Sequence, residues 1–508
     1  MAPDRNPNRD STAGEGATFP GKTYAEHVLK HVFNDQRDHL FAAMFAVHRA
    51  HVLMLGTRGL ISRAHTTKLL QAIEEVATNP QAAWQYDPQY EDLFFMVEAK
   101  ITEKVGPEVA GNMHIGRSRN DLGVAMYRLV LREKLLHVID SVLQLREALL
   151  QKAHEHIHTV MPAYTHTQPA QPTTFGHYTL AMFDVLTRDT ERLKHAFLTV
   201  NQSPLGAAAL TTTGFPISRE QVKALLGFDG LVENSYDAIG GADYLLETAT
   251  SVATLMTNIG RWVQDLLLFC TREFAAVRVA DPYVQISSIM PQKRNPVSLE
   301  HSRALASSAI ADAQGVVTMV HNTPFGDIVD TEDDLQPHLY RAMHKAVRVL
   351  SLLNVVVRTL HIDKALLAKR AKEGFITITE LADTLVRNYS IPFRSAHHIT
   401  SAVAKEACAR GLEMYELTPV HLTPIFEKFG YGDVAMTSTE LARLSDPAYF
   451  VHVRNRPGGP NAKEVKRMLT QRRQSWEKDT AFWKQKKIEL AEAATSLQQR
   501  VRSLIRSR

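Results

Sequence analysis

Asp243–Cys270, DYLLETATSVATLMTNIGRWVQDLLLFC, decides the fold class. Within it Leu245, Ala249, Val252, Met256, Ile259, Val263 and Leu266 recur at spacings of 4, 3, 4, 3, 4 and 3. A sustained period of 3.5 residues marks an apolar seam that packs lengthwise against other long helices. Working outward, the proline-free reaches 108–161, 217–281, 297–323 and 338–391 are expected to be helical. Leu122–His158 predicts one long helix, with Met126, Leu129, Val130, Leu135, Leu136, Ile139, Leu143 and Leu149 as its apolar positions. Convincing alternating strands are scarce, so the class is all-α. Helices of about 30 residues extend some 45 Å, more than a compact domain normally holds, so they are expected to continue into an oligomeric bundle.

The expected plan is a loose polar arm over residues 1–20, an N-terminal helical domain over 21–120, a central long-helix domain over 121–370 and a C-terminal helical domain over 371–508. With 508 residues, 44% of them hydrophobic, the chain can bury a large core. The arm lacks the apolar stretch of a signal peptide, and no run of about 18 apolar residues stands out. No membrane span is expected, and the anticipated compartment is the cytoplasm. The formal charge of +4 sits against 58 basic and 54 acidic residues, and Arg500, Arg502, Arg506 and Arg508 cluster at one end. Without aromatic interleaving or zinc spacing they read as a solvated helix face, so no nucleic-acid partner is expected. Cys270 and Cys408 read as small buried hydrophobes in a reducing compartment.

Four polar clusters interrupt the helical pattern at the mouths of long helices. His114-Ile-Gly-Arg-Ser-Arg-Asn-Asp121 opens the helix near Leu122. Gly116 permits a tight turn, Ser118 and Asn120 can cap or donate, and Arg119 can grip a carboxylate, which makes an anion site at a helix N-terminus. Tyr164-Thr-His-Thr-Gln-Pro-Ala-Gln-Pro172 surrounds His166, a candidate titrating group, with hydroxyls and amides. Gln285-Ile-Ser-Ser-Ile-Met-Pro-Gln-Lys-Arg-Asn-Pro296 reads as a shaped loop. It can surround an anion with Lys293 and Asn295 while presenting Ser287, as proton abstraction beside a carboxylate requires. Glu300 follows on the next helix and can orient His166 or serve the helix dipole. Asp330-Thr-Glu-Asp-Asp-Leu-Gln336 crowds acids before a helix, a weak signal alone, and Asn201–Thr213 is a polar turn suited to close packing or to a site wall.

Three of these blocks in order, Gly-Arg-Ser-Arg-Asn-Asp at 116–121, Thr-His-Thr-Gln-Pro-Ala-Gln-Pro at 165–172 and Ser-Ser-Ile-Met-Pro-Gln-Lys-Arg-Asn-Pro at 287–296, resemble argininosuccinate lyase within the fumarase and aspartase superfamily. The likeness continues through Leu381–Arg387, Phe393–His397 and Arg454–Gly459. The resemblance implies an all-helical homotetramer with a twenty-helix core, each active site being assembled from three subunits. It also implies reversible anti elimination of an amine from an N-substituted aspartate, a small dicarboxylate amino acid, to give fumarate. By the same resemblance Ser287 falls on the catalytic base and His166 on the family's histidine, with Glu300 as its paired carboxylate. Ser118, Arg119, Asn120, Thr165, Lys293 and Asn295 match positions that hold the succinyl carboxylates, and Gln336 is a further candidate substrate contact. No metal or organic cofactor is implied.

Departures from the family pattern fall on the amine side. Ile286 stands where a glycine is usual, Phe94 where a histidine is common, and Thr331 and Leu339 where a tyrosine and a lysine hold the amino-acid end of arginine. The N-terminal Trp-Gly-Gly-Arg-Phe type signature is absent from the sequence. The expectation is therefore a lyase with an altered amine pocket, similar to ethylenediamine-N,N'-disuccinate lyase. The alternatives are an authentic argininosuccinate lyase, with His338 or Arg341 in place of the missing lysine, and a catalytically silent protein similar to lens crystallins.

Overall fold

The computed structural model describes residues 15, 16 and 18–506. The arm expected over 1–20 lies mostly outside the described residues, as does Arg508. The chain is helical, with four two-stranded ribbons as its only sheets among the described residues.

Helix α1, Lys22–Thr57, contains two π turns, Ala25–Leu29 and Gln36–Leu40. By length and composition it is apolar enough to cross a membrane, a stretch the sequence reading did not single out. Its side chains Phe33, Leu40, Met44, Val47 and Leu55 instead fill a core with Leu70 and Ile73 of α2 (Arg63–Ala77) and Val97 of α3 (Leu93–Val105).

The long-helix core follows. Helix α4, Arg119–Glu155, runs 37 residues, about 55 Å. The ribbon β1 (Val160–Thr165) and β2 (Gln168–Thr174) leads into α5, Phe175–Val200. Helix α6 is Arg219–Leu226, and α7 is Asp243–Cys270, which carries the 3.5-residue seam. All seven residues of its seam are buried, and Tyr244, Leu255, Trp262 and Phe269 widen the stripe. The breadth follows from the neighbours, because α7 packs against α5, α8 (Val297–Val320) and α9 (Gln336–Thr359) at once. Each fully buried Leu, Ile or Val on these faces contributes about 1.5–3 kcal/mol.

Three of the expected helical reaches are broken: 108–161 divides at the turn around Gly116, before α4 begins, and two others divide as well. Reach 217–281 divides after α6, where Gly227 takes a left-handed conformation at φ 70° and caps the helix. Reach 338–391 divides into α9, a short helix Lys364–Arg370 and α10, Ile378–Tyr389. Proline-free sequence therefore marked where helices are permitted, while left-handed residues such as Gly227 ended them.

The segment 381–444 holds a separate small core of Leu381, Leu385, Ile399, Val403, Leu422 and Phe426, built on α10, α11 (Phe393–Ala409) and α12 (Pro419–Lys428). Here the family-like motifs have structural work: buried Glu380 accepts from both Arg387 and Arg454. Cys408 is exposed on α11, contrary to the expected burial, because it lies on the face away from Val403 and Ala407.

After α13, Pro447–Val453, the 45-residue helix α14, Ala462–Arg506, runs back along both larger cores. Trp476 and Trp483 donate their indole N–H groups to Leu143 O and Leu136 O of α4 at 2.9 and 3.0 Å. Arg500, Arg502 and Arg506 are exposed on it, the solvated face expected.

One polar tie joins α4, α5 and α14 within the core. Arg146 Nη1 donates to Asp479 Oδ2 at 2.7 Å, and Lys194 donates to the other carboxylate oxygen at 2.9 Å. The Arg146 side chain is 0% exposed, so removing its partner strands a charge. Asp479→Ala is expected to cost about 3–5 kcal/mol in urea unfolding. A loss below about 1 kcal/mol, the scale of a surface pair, would mean that water reaches the guanidinium.

Candidate active site

The start of α4 is set by a capping box. Asp121 Oδ1 accepts the Ser118 N–H at 2.9 Å, and Ser118 Oγ accepts from Asn120 N at 3.3 Å while donating to Asn120 Oδ1 at 2.8 Å. The other oxygen of Asp121 accepts from Gly206 N at 2.8 Å and Ala208 N at 3.1 Å, which pins the 201–213 turn to the helix mouth. Burial pushes Asp121 up to about 6 despite these donors. Gly116 sits at φ 69°, and a Cβ there would meet Ile217 Cγ2 at 2.7 Å. Beneath this turn Arg117 is buried, donating to Glu98 and to His48 Nδ1, both at 2.9 Å.

Arg119 and Asn120 line a cavity of about 100 Å³ whose rim and walls also hold Glu91, Asp92, Asp327, Glu332, Asp333 and Asp334. Arg119 donates to Glu91 Oε1 at 2.9 Å, has Asp92 at 3.6 Å, and lies over the Phe95 ring. Gln36, at the second π turn of α1, donates to Asp333 Oδ1 at 3.3 Å and accepts from Leu93 N at 3.2 Å. Burial, then the neighbouring Asp327 and Asp333 carboxyls, push Glu332 up to about 9. Burial likewise brings Asp333 to about 6 and raises Asp92. The acid run 330–334 was visible in sequence; Gln36 and Tyr127 as its cavity partners carried no sequence signal.

Gln336 is buried at the first turn of α9, its Nε2 3.5 Å from Thr331 O and its Oε1 without a partner. Thr331 donates its hydroxyl to Ile328 O at 3.1 Å, and Leu339 is fully buried. His338 and Arg341 lie 3.7 and 3.5 Å from Asp312 of α8, beside Lys345.

The second group is the β1–β2 ribbon, which the sequence suggested only as a polar turn. Pro162 faces Pro172 across it, so rungs are missing, and such a ladder survives because both strands are edges. His166 and Thr167 form its tip at φ 51° and 62°, and Thr165, His166 and Thr167 are exposed. The ribbon is braced from the C-terminal segments. Gln171 donates to Thr379 Oγ1 at 3.3 Å, while His177 donates from Nε2 to Gly458 O at 2.9 Å and accepts from Thr173 Oγ1 at 2.9 Å.

The third group is a hairpin, β3 (Gln285–Ile286) paired with β4 (Arg294–Asn295), where the sequence suggested a loop without strands. Arg294 pairs with Asp281 across its base. At its turn Ser287 Oγ accepts from Met290 N at 3.2 Å and Ile289 N at 3.4 Å, and Lys293 is exposed nearby. Ile286 and Ile289 are 65% and 84% exposed. Glu300 lies exposed in the first turn of α8.

One chain therefore brings Ser118, Arg119 and Asn120 together at one helix mouth, Thr165 and His166 together at a ribbon tip, and Ser287, Lys293, Asn295 and Glu300 together on one hairpin and helix. Among the described residues no hydrogen bond joins these three groups, and only Arg119 and Asn120 of the set line the acid-walled cavity.

Residues 25–311 match the family model described as lyase, and residues 375–442 match that for the argininosuccinate lyase C-terminal region. The chain is 37% identical over 458 residues to argininosuccinate lyase 2 of Agrobacterium fabrum, spanning 90% of each chain. It is 34% identical over 450 residues to argininosuccinate lyase of Methanocaldococcus jannaschii, spanning 88% of this chain and 91% of that one. It superposes on EDDS lyase in complex with formate at a TM-score of 0.86 and 31% identity, over 100% of this chain and 99% of that one. The chain belongs to the argininosuccinate lyase family of the fumarase and aspartase superfamily. It is a carbon–nitrogen lyase, and the reaction it shares with its relatives is the elimination of fumarate.

The acid wall has a measurable consequence. Glu332 keeps in the folded chain a proton that it loses near 4.5 when unfolded. Its contribution to stability is therefore full below that pH and drains away as pH rises toward about 9. Glu332→Gln is expected to melt above the wild type, with a gap that widens across that range in scanning calorimetry. A gap that shrinks as pH rises would contradict the buried, crowded carboxyl.

Proposed function

We propose that the chain releases fumarate from an N-substituted L-aspartate of the aminopolycarboxylate kind, similar to ethylenediamine-N,N'-disuccinate, and that it works as a homotetramer whose sites combine the three polar groups from different subunits. Ser287 is the base. The observation that carries this reading is its position in the hairpin turn, where two backbone N–H groups point at Oγ and an ammonium follows six residues later. Such donors lower the cost of an alkoxide.

In the proposed reaction the Ser287 oxygen takes the Cβ proton of the succinyl moiety, and the electron pair moves into the neighbouring carboxylate. Lys293, Asn295, Arg119 and Thr165 hold that dianion, with Ser118 and Asn120 at the helix mouth. Collapse expels the nitrogen from Cα on the opposite face. His166, oriented by Glu300, supplies the proton that the departing amine needs. Gln336 backs the wall of the amine side.

The shared assembly is supported by what a single chain leaves open. Ile286 and Ile289 project into solvent, and an open groove of about 530 Å³ lies between α7 and α8, lined by Met256, Gly260, Ala306 and Ile310. The amine assignment is supported by Leu339, which the core encloses, and by His338, Arg341 and Lys345, which gather at Asp312. Lys345 is engaged there, donating to both Asp312 and Ser308. Argininosuccinate lyase itself is the second reading, favoured by the identity to enzymes of that name. A silent, crystallin-like role is disfavoured by the intact Ser287, His166, Lys293 and Asn295.

Following fumarate absorbance with argininosuccinate and with mono- and disuccinylated diamines separates the two enzymes; turnover of argininosuccinate alone would overturn the aminopolycarboxylate reading. Ser287→Ala is expected to lower fumarate release by about three orders of magnitude, and undiminished release would remove Ser287 as the base. Co-expressing Ser287→Ala with Arg119→Ala chains is expected to restore measurable activity, because mixed assemblies regain some sites with both residues. No recovery in mixed tetramers would contradict shared sites.

A further inference from the structure

The acid-walled cavity beside Arg119 has a charge balance unlike that of a site built for a second carboxylate. Six carboxyls line it against one cation, Arg119, which pairs with Glu91 and Asp92 and is the residue the proposed reaction gives to the succinyl half. Asp327, Glu332, Asp333 and Asp334 remain on the α8–α9 connection, with Asp327 and Glu332 hydrogen-bonded carboxyl to carboxyl. Such a pair holds together only by keeping a proton between them, so the wall lacks a positive charge.

A second, independent feature points into the same space. Tyr127 of α4 lines the cavity, is 5% exposed, and has no hydrogen-bond partner among the described residues. Its hydroxyl is open to a donor that enters the cavity. The remaining lining, Val28, Val32, Phe94, Met126 and Val329, is apolar and suits methylene groups. The volume, about 100 Å³, is that of a few waters or a short ammonium arm.

Resting on the lyase reading above, we propose that the preferred substrate is an aspartate whose nitrogen carries a short alkyl arm ending in a positive charge and bearing no distal carboxylate, the mono-succinylated diamine N-(2-aminoethyl)-L-aspartate being the simplest case. The terminal ammonium enters among Asp327, Glu332 and Asp333, donates to carboxylate oxygens and to Tyr127 Oη, and displaces the proton held there. The succinyl half stays with Arg119 and Asn120. A distal carboxylate at this place would face four acids with no free cation. Because one elimination from ethylenediamine-N,N'-disuccinate leaves N-(2-aminoethyl)-L-aspartate, the second elimination is then the better step.

The test compares kcat/KM for N-(2-aminoethyl)-L-aspartate and for N-propyl-L-aspartate, in which a methyl replaces the ammonium, using the full-length wild type, Glu332→Gln and Asp333→Asn. The wild type is expected to favour the ammonium arm by about tenfold or more, and both variants to bring that ratio toward one. In parallel, calorimetric binding of ethylenediamine to the wild type is expected to release protons, and to weaken in both variants. Fumarate release without preference for the ammonium, or better turnover of the disuccinylated diamine than of the mono-adduct, overturns this inference while leaving the lyase reading intact. Ethylenediamine binding with no fumarate from either adduct overturns the lyase reading and upholds the cation site. Absence of both overturns both.

Discussion

The structure depends on lengthwise burial. Helices α4, α5, α7, α8 and α9 carry apolar stripes along their whole length, and none of those stripes can be covered by a loop or a short partner. Each helix must run beside another, and α14 closes the stack from outside with two indole N–H groups on the α4 backbone. Rods packed this way are rigid along their axes, so whatever stands at their ends is held in place without needing a core of its own.

That constraint explains where the polar groups are. The mouth of α4 is fixed by Asp121, a buried carboxylate that accepts three backbone N–H groups and so joins the helix start to the 201–213 turn. The mouth of α5 carries the His166 ribbon, braced by His177 and Gly458. The mouth of α8 carries the Ser287 hairpin. Three groups on three ends of one rigid bundle do not need to touch within a chain; in the proposed homotetramer, packing the bundles side by side brings different ends together. This division is economical for proton abstraction from carbon, which needs base, dianion clamp and acid on different faces of one small molecule.

The acid-walled cavity is different in kind. Its walls come from α1, the start of α3, the α8–α9 connection and the mouth of α4. These segments are distant in sequence, and the acids they bring together raise one another's proton affinity because burial removes the water that would screen them. The same tertiary contacts bury Leu339 and draw His338 and Arg341 toward Asp312.

The sequence by itself determined the helical class, the seam of α7 residue for residue, the extent of α4 to within a few positions, and the three motif blocks that identify the family. These are local quantities: a 3.5-residue period, a capping box and a run of donors are each complete within about thirty residues. Only the tertiary structure decided that 160–174 and 285–295 form ribbons, that proline-free reaches break at Gly227 and near Gly374, and that Cys408 is exposed. It alone assembled Gln36, Asp92, Tyr127, Glu332 and Asp333 around one cavity. Burial and charge proximity are sums over neighbours that the chain order does not list, which is why a cavity's electrostatics emerges only when the helices are side by side.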